Sequence, residues 1–389
     1  MRIVRLANYV APHSGGLRTS LAELGAGYLA AGHEPVLIIP GDRDSDEQTA
    51  QGRVITLRSP RLPFTGGYRA LWRRRQIEAL LAGLAPDTIE VSDRTTLRWT
   101  GRWAREHGVP AVMVSHESIT ALFRLAPPMS RSGLARAAAD WLNRRTARAY
   151  VKVICTTAWA AAEFERTGVL NLARVPLGVD LVTFAPGPAH PDDGQVMLVH
   201  CSRLSPEKKP ERSLVTLASL RRSGLPARLV VAGDGPLRAR LERRAARDRL
   251  PVTFAGFLPG RADLAALLAS ADVALAPGPA ETFGLAALEA LACATPVVVS
   301  AESALPEVIG SAGAAVTGDD LAEGVREILA QPEPARRAAA RARAECFDWQ
   351  TSARGFLAVH EALVTRPGPV QITPEQITDE QITAGGRTS

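Results

Sequence analysis

Short continuous apolar runs alternate along the chain with longer Ala/Leu/Arg stretches of helical period. Runs at 3–7, 35–39, 54–57, 88–91, 111–114 and 151–155 predict one series of strands. Runs at 196–201, 227–232, 252–254, 273–276 and 296–299 predict a second. Strands that are apolar throughout, rather than alternating, are buried on both faces, which is the signature of parallel sheets covered by helices. Two such series predict an α/β chain of two doubly wound domains. The boundary is expected near 178–194, where Pro186, Pro188 and Pro191 cluster. Ligands of open α/β sheets bind beyond the carboxyl ends of the strands, so two facing sheets predict one cleft between them. The last 20 or so residues break the pattern. Gln-Ile-Thr recurs at Gln371, Gln376 and Gln381 in a polar setting that cannot build a core, so 366–389 reads as a disordered tail.

Composition sharpens this picture. The 389 residues are 46% hydrophobic and 22% charged, which suits two globular domains. The net charge of +6 favours an anionic partner: a phosphate, a nucleic acid or an acidic lipid surface. Only Lys152, Lys208 and Lys209 are lysines among 46 basic residues. Arginine is thus a compositional habit of this chain, and a lysine carries more information. Cys155, Cys201, Cys293 and Cys346 show no zinc-type spacing and read as reduced thiols of a cytoplasmic protein. Residues 1–10 read as a strand rather than a signal peptide, and no apolar run is long enough to span a membrane.

Two stretches carry the strongest chemistry. The first, at 200–210, holds Arg203 and Lys208 on either side of a turn marked by Pro206, between a strand and a helix. Two of the three lysines fall here. A cation about 4 Å from a phosphate charge gains roughly 4 kcal/mol at an effective dielectric of about 20, before desolvation. The second, at 277–293, is a Gly/Pro loop ending at Glu281, then a helix starting near Gly284. Free N–H groups at a helix start hold phosphate oxygens, and Gly284 permits close backbone approach. That helix is apolar on nearly every face except Glu289, a buried carboxylate that needs partners such as ribose hydroxyls.

Weaker signals surround these. Gly233 lies in a Gly-Asp-Gly-Pro turn after a strand; Gly256, Phe257 and Asp272 are candidates for contact with a base. Gly15 and Gly16 follow the first strand, but GxGxxG is absent, which weakens a nicotinamide or flavin reading. His116 and Glu117 follow the run at 111–114, at a strand end facing the expected cleft. Between 61 and 77, Arg61, Arg69, Arg73, Arg74 and Arg75 are interleaved with Phe64, Tyr68 and Trp72, a composition suited to an anionic bilayer surface.

Glu281-x7-Glu289, preceded by Arg203 and Lys208 and by Gly15-Gly16, resembles the retaining glycosyltransferases of family 4. The resemblance runs from residue 1 to about 365 and implies the GT-B fold. It implies an acceptor-binding domain over 1–180 completed by a returning helix at 348–365, and a nucleotide-sugar-binding domain over 181–347. Segments 1–40, 65–70, 90–94 and 175–184 look most like members that move mannose from GDP-mannose onto a dimannosylated phosphatidylinositol. On that resemblance Arg203 and Lys208 hold the diphosphate. Glu281 binds the sugar, and Phe283, Gly284 and Leu285 offer backbone N–H groups. Glu289 binds the ribose, Gly16 covers the donor phosphates, and His116 sits against the sugar. The implied enzyme needs no metal or other cofactor, and works at the inner face of the cell membrane on an anionic glycolipid. Two departures stand out: Lys209-Pro210 replaces a glycine common after the loop lysine, and the Gln-Ile-Thr tail has no counterpart.

Three alternatives remain open at this level. A nucleotide-sugar epimerase of similar architecture would need a carboxylate pair in the first domain. A non-catalytic sugar- or lipid-binding protein would not need Lys208 or Glu289. Nucleic-acid binding rests on charge alone, with no recognition motif.

Overall fold

A computed structural model describes residues 1–10, 15–62, 67–125, 133–187 and 194–365. The Gln-Ile-Thr tail, Phe64 and part of the boundary segment lie outside the described residues.

The first sheet comprises β1 (Arg2–Ala7), β2 (Glu34–Gly41), β3 (Ser45–Thr49), β4 (Gly52–Arg58), β5 (Thr88–Ser92), β6 (Ala111–Ser115), β7 (Lys152–Cys155) and β8 (Leu172–Arg174). The second comprises β9 (Val196–Cys201), β10 (Ala227–Ala232), β11 (Val252–Gly256), β12 (Val273–Ala276), β13 (Val297–Ser300) and β14 (Gly313–Val316). Their orders are β3-β4-β2-β1-β5-β6-β7-β8 and β11-β10-β9-β12-β13-β14. Among the strands of the described residues only β3 pairs antiparallel, with β4. The apolar-run reading missed β3, β8 and β14. β3 is a polar hairpin strand at a sheet edge, β8 is three residues long, and β14 is mostly Gly and Ala, so none presents a strong apolar run.

The first-domain helices are α1 (Gly15–Ala30), α2 (Arg74–Leu84), α3 (Trp99–Glu106), α4 (Ile119–Leu125), α5 (Gly133–Ala147) and α6 (Ala158–Glu165). The second domain adds α7 (Glu211–Arg222), α8 (Arg238–Arg247), α9 (Arg261–Ser270), α10 (Leu285–Ala292), α11 (Leu305–Ile309), α12 (Ala322–Leu329) and α13 (Glu333–Glu345). The final helix, α14 (Trp349–Val364), returns to the first domain. Asp348 caps it by accepting from Thr351 N–H at 2.8 Å.

Two glycines make this return possible. A Cβ on Gly178 would lie 2.5 Å from Trp349 N, because the two interdomain strands of chain touch there. Val179 N–H donates to Phe347 O at 2.9 Å in the same crossing. A Cβ on Gly27 of α1 would meet Ala353 Cβ of α14 at 2.5 Å. Beneath this contact lies a buried polar knot. Arg5 Nε donates to Glu90 Oε1 (2.8 Å), Tyr28 Oη donates to Glu90 Oε2 (2.7 Å), and His360 Nε2 lies 3.2 Å from that same oxygen. His360 Nδ1 reaches Thr88 Oγ1 at 3.0 Å, so α14 is tied to the sheet through both ring nitrogens. Burial alone would push the Glu90 carboxyl up. Arg5, His360 and Tyr28 outweigh it and hold the group below the usual carboxylate range.

Candidate active site

Arg203 and Lys208 follow β9 on a loop set by short-range chemistry. Pro206 opens a single 3-10 turn, Pro206–Lys208, and Lys209 closes it at φ +48°. That is the left-handed conformation in which a non-glycine residue is strained by roughly 1–2 kcal/mol. The chain therefore keeps the turn geometry that glycine would adopt freely, even though Lys209 occupies the position. Beneath the loop, His200 Nδ1 and Nε2 bond Ser213 Oγ (2.9 Å) and Ser202 Oγ (2.8 Å). Burial, reinforced by Lys208, pushes His200 down to about 4, so at neutral pH it supports the loop without adding charge.

The Gly-Asp-Gly turn packs against this loop from behind. A Cβ on Gly233 would lie 1.9 Å from Ser202 O, and one on Gly235 would lie 2.5 Å from Leu204 O. Leu204 N–H donates to Asp234 O at 2.9 Å. Gly233, expected at the donor, is thus required first by loop-to-loop packing that sets the Arg203 backbone. Gly256 accepts from Gly233 N–H at 2.7 Å, and Phe257 beside it is exposed at the carboxyl end of β11. Asp272 does not reach the cleft. It lies at the amino end of β12, where it accepts from Met197 N–H at 2.8 Å and stands 3.8 Å from Arg336.

Glu281 comes from the second stretch and forms an ion pair with Lys208. Gly284 follows at φ +81°, where a Cβ would collide with Leu305 Cδ2 at 2.2 Å, so both conformation and space call for glycine. α10 starts at the next residue. The N–H groups of Phe283, Gly284 and Leu285 are given to no protein acceptor among the described residues, as a helix start leaves them. Phe283 is buried edge-on to Phe347 at 5.9 Å, which fixes the turn.

The first domain meets this site from across the cleft. Gly16, in the first turn of α1, stands with its Cβ position 3.8 Å from Leu285 Cδ1. Two helix N-termini thus converge on one point beside two cations, and their dipoles add to the positive potential. Gly15 has open space around it. Tyr68 also crosses the cleft: its hydroxyl accepts from Arg203, whose guanidinium carbon stands 5.2 Å over its ring. Arg203 is further bonded to Ser205 and Glu207.

His116 lies at the cleft end of β6. Its Nε2 is 3.2 Å from Ser92 Oγ, and its carbonyl accepts from Thr282 Oγ1 at 2.7 Å. Burial pushes its pKa down to about 4, with Glu90 opposing and Arg5 and Arg94 assisting. The neutral ring can take part in hydrogen bonds to a sugar. Arg94 holds this segment in place. It donates to Ser115 Oγ, Glu117 O and Asn143 Oδ1, and faces Glu163 at 3.5 Å.

Glu289 points from α10 toward Arg261 and Asp180. Its carboxylate makes no hydrogen bond among the described residues. Burial lifts its pKa to about 7; Arg261 lowers it and Asp180 raises it. Hydroxyl donors bind the carboxylate form more strongly than the acid. Nucleotide affinity is therefore expected to weaken several-fold as pH falls from 8 to 6, because protonation through pH 7 removes the charged acceptor. Calorimetric titration of nucleoside diphosphate checks this. In Glu289→Gln the pH dependence should shrink to that of the diphosphate's own ionisation.

Comparison with known proteins fits this geometry. A family model described as "Glycosyl transferase 4-like domain" matches residues 15–178, and one described as "Glycosyl transferases group 1" matches residues 186–345. A protein of Mycobacterium tuberculosis named GDP-mannose-dependent alpha-(1-6)-phosphatidylinositol dimannoside mannosyltransferase is 50% identical over 388 residues, covering 96% of this chain and all of its own. The chain belongs to this glycosyltransferase family. A GDP-mannose-dependent alpha-mannosyltransferase of Mycolicibacterium smegmatis is 29% identical over 77% of this chain and 79% of its own. Among solved structures, the sucrose-phosphate synthase of Thermosynechococcus elongatus superposes with a TM-score of 0.78 at 21% identity, over 94% of this chain and 100% of that one. It establishes the GT-B fold, two facing parallel-sheet domains.

Within this family frame the arginine-rich segment divides. Arg61, Trp72, Arg73, Arg74 and Arg75 are exposed. Arg69 is turned inward: it donates to Ser59 O, its carbonyl accepts from Tyr9 N–H at 3.2 Å, and it bridges to Arg61. Arg74 is committed to Glu78 at 2.8 Å and to the Trp99 ring. Tyr68 belongs to the cleft. The interleaved composition therefore combined a surface element with a piece of the active site. Sequence reasoning assigned no role to Arg94, Thr282, Asp180 or Arg261, since each acts through a partner more than 20 residues away.

Proposed function

We propose that this glycosyltransferase moves mannose from GDP-mannose to a phosphatidylinositol dimannoside at a membrane surface, with retention and an α linkage. The observation carrying the reading is that Arg203 and Lys208 share one loop, Lys208 pairs with Glu281 just before the start of α10, and Gly16 stands opposite Leu285 at that start. The 50% identical mannosyltransferase supports the choice of sugar, nucleotide and lipid. No helix of the described residues is long and apolar enough to cross a membrane.

Lys208 and Arg203 first exchange Glu281, Glu207 and Tyr68 for the donor diphosphate. The free N–H groups of Phe283, Gly284 and Leu285 take further diphosphate oxygens, and Glu281, released by Lys208, accepts from mannose hydroxyls. The bond between the sugar C1 and the diphosphate oxygen breaks as the acceptor hydroxyl oxygen bonds to C1 from the same face. The hydroxyl proton passes to the departing diphosphate. Protein cations and helix N–H groups stabilise the charge that develops there. His116 holds the sugar as a neutral hydrogen-bonding group. In this scheme Arg203 and Lys208 do the work of a divalent ion.

The test incubates purified protein with GDP-mannose, UDP-glucose and GDP-glucose, with and without the dimannoside lipid, and scores mannosylated lipid by mass spectrometry. GDP-mannose is expected to give product, at a rate unchanged within about twofold after exhaustive treatment with EDTA. Product from UDP-glucose alone would refute the donor. Loss with EDTA that magnesium restores would refute the charge assignment.

A further inference from the structure

α2, α3, α5 and α6 cover the face of the first sheet opposite α1 and α14, packing through Ile77, Leu81, Trp103, Ala147 and Phe164. α5 buries Ala135, Ala139, Asn143, Thr146 and Ala147 on its inner side. Its outer side is not the polar stripe expected of a solvent-facing helix. Leu134, Ala137, Trp141, Arg145 and Arg148 follow one another at helical spacing along it, all exposed. Leu134 is 75% exposed and Trp141 51% exposed, so two large apolar side chains on one helix face are largely uncovered by the described residues.

Basic residues outnumber acidic ones on α3 and α5. The only acids of α3 and α5 are already paired, Glu106 with Arg102 at 3.1 Å and Asp140 with Arg166 at 2.6 Å. Arg145 lies over the Trp141 ring at 5.1 Å and has no acidic partner among the described residues. Arg98, at the start of α3, has none either, and burial together with the nearby Arg145 charge lowers its pKa. Two guanidiniums crowded without an acid between them leave an anion's place open. Arg144 and Arg148 extend the basic end.

Topology sets the direction of the stripe. Helices of a parallel α/β domain run back against the strands, so α5 begins at the carboxyl end of the sheet, where the cleft lies. Its first half, nearest the cleft rim, carries the exposed Leu134, Ala137 and Trp141 together with the exposed Arg136, and Arg144 and Arg145 lie farther away. α2 begins at that rim too, just after Trp72, 60% exposed, and Arg73, which stands 5.3 Å over its ring. Exposed apolar side chains interleaved with arginines match the interface of an anionic bilayer, in which aromatic rings sit at headgroup depth and guanidiniums meet lipid phosphate.

We infer that the outer face of α5, with Arg98, is a docking surface for an anionic phospholipid bilayer, seating the cleft rim against the lipid. The docking stands on the exposed stripe; its use in delivering a lipid acceptor rests on the function proposed above.

The test compares the parent with Leu134→Ser/Trp141→Ala and with Arg98→Gln/Arg145→Gln, by co-sedimentation with vesicles of phosphatidylcholine alone or with phosphatidylglycerol. GDP affinity and release of GDP from GDP-mannose in water serve as controls for folding and for the donor site. Each arginine is expected to contribute roughly fivefold to vesicle partitioning, so the double arginine variant binds about 25-fold more weakly at low salt. That difference should shrink as salt rises. The apolar variant should lose binding even at low salt, and parent tryptophan emission should shift blue only on anionic vesicles. Both variants keep parent GDP affinity. Variants that sediment like the parent overturn the docking surface. So does a parent that ignores vesicles but forms a dimer dissolved by these substitutions, since the occupant is then a second copy. If the surface docks but no nucleotide sugar yields lipid product, the docking stands and the proposed function falls.

Discussion

Lys208→Ala and Arg203→Ala should each reduce turnover by about 10²–10³ while leaving the fold intact. Both cations lie at the cleft on one short loop, and both are held in the unliganded protein by groups that a diphosphate can replace. Glu281 holds Lys208; Glu207, Ser205 and Tyr68 hold Arg203. Their side chains are already ordered before the donor arrives, so little entropy is lost when they move to phosphate. Removing one strips a charged hydrogen bond from a leaving group whose charge grows in the transition state. The loss should therefore appear mainly in kcat, at saturating donor, and less in KM. Tyr68→Phe offers a contrast. It keeps the ring under Arg203 and removes only the neutral hydroxyl, so its loss should stay within about tenfold. Steady-state kinetics on all three variants checks the pattern, and near-parent turnover in both cation variants would remove them from the mechanism.

Glu90→Gln should destabilise the protein by about 3–5 kcal/mol, because it leaves the Arg5 guanidinium buried without its counter-charge. Arg5 and Glu90 side chains are each 1% exposed, so solvent cannot take over the lost role. The same substitution weakens the bonds from Tyr28 and His360, and with them the seat of α14 on the first domain. The pH sign follows from the depressed Glu90 value. The stabilisation is fully present above the ordinary carboxyl value of 4.5 and is lost as pH falls below it, toward the depressed native value. Urea unfolding at pH 7 and at pH 4 is the measurement. The gap between parent and variant should be wide at pH 7 and narrower at pH 4. An equal gap at both would mean that the charge of Glu90 does not matter and only its shape does.

Legibility in the sequence tracked the range of the interaction. The strands at 196–201, 227–232 and 273–276 are observed over the same residues, because a strand buried on both faces must be apolar throughout. The edge hairpin strand β3 gave no such signal, since its residues face solvent. The loop cations, Glu281 and the glycine-started α10 were readable because lysine is rare here and each motif lies within about ten residues of chain. Asp272 was misplaced for the opposite reason. A residue before a strand lies at the sheet's amino end, away from the cleft, where Asp272 instead accepts from Met197 N–H of the neighbouring strand.

By itself, the sequence determined an α/β chain of two parallel-sheet series, since periodicity and turn residues act over a few residues of chain, and its local motifs carried a resemblance that implied nucleotide-sugar chemistry. Tertiary structure alone decided that Lys208 meets Glu281 across 73 positions, that Tyr68 leaves its arginine-rich stretch to reach Arg203 across 135, and that His360 closes a buried charge network with Glu90 across 270. It also decided which arginines stay unpaired on the outer face and which turn inward. Charge pairing and burial depend on distance in space, and a linear pattern records only the residues available to be paired.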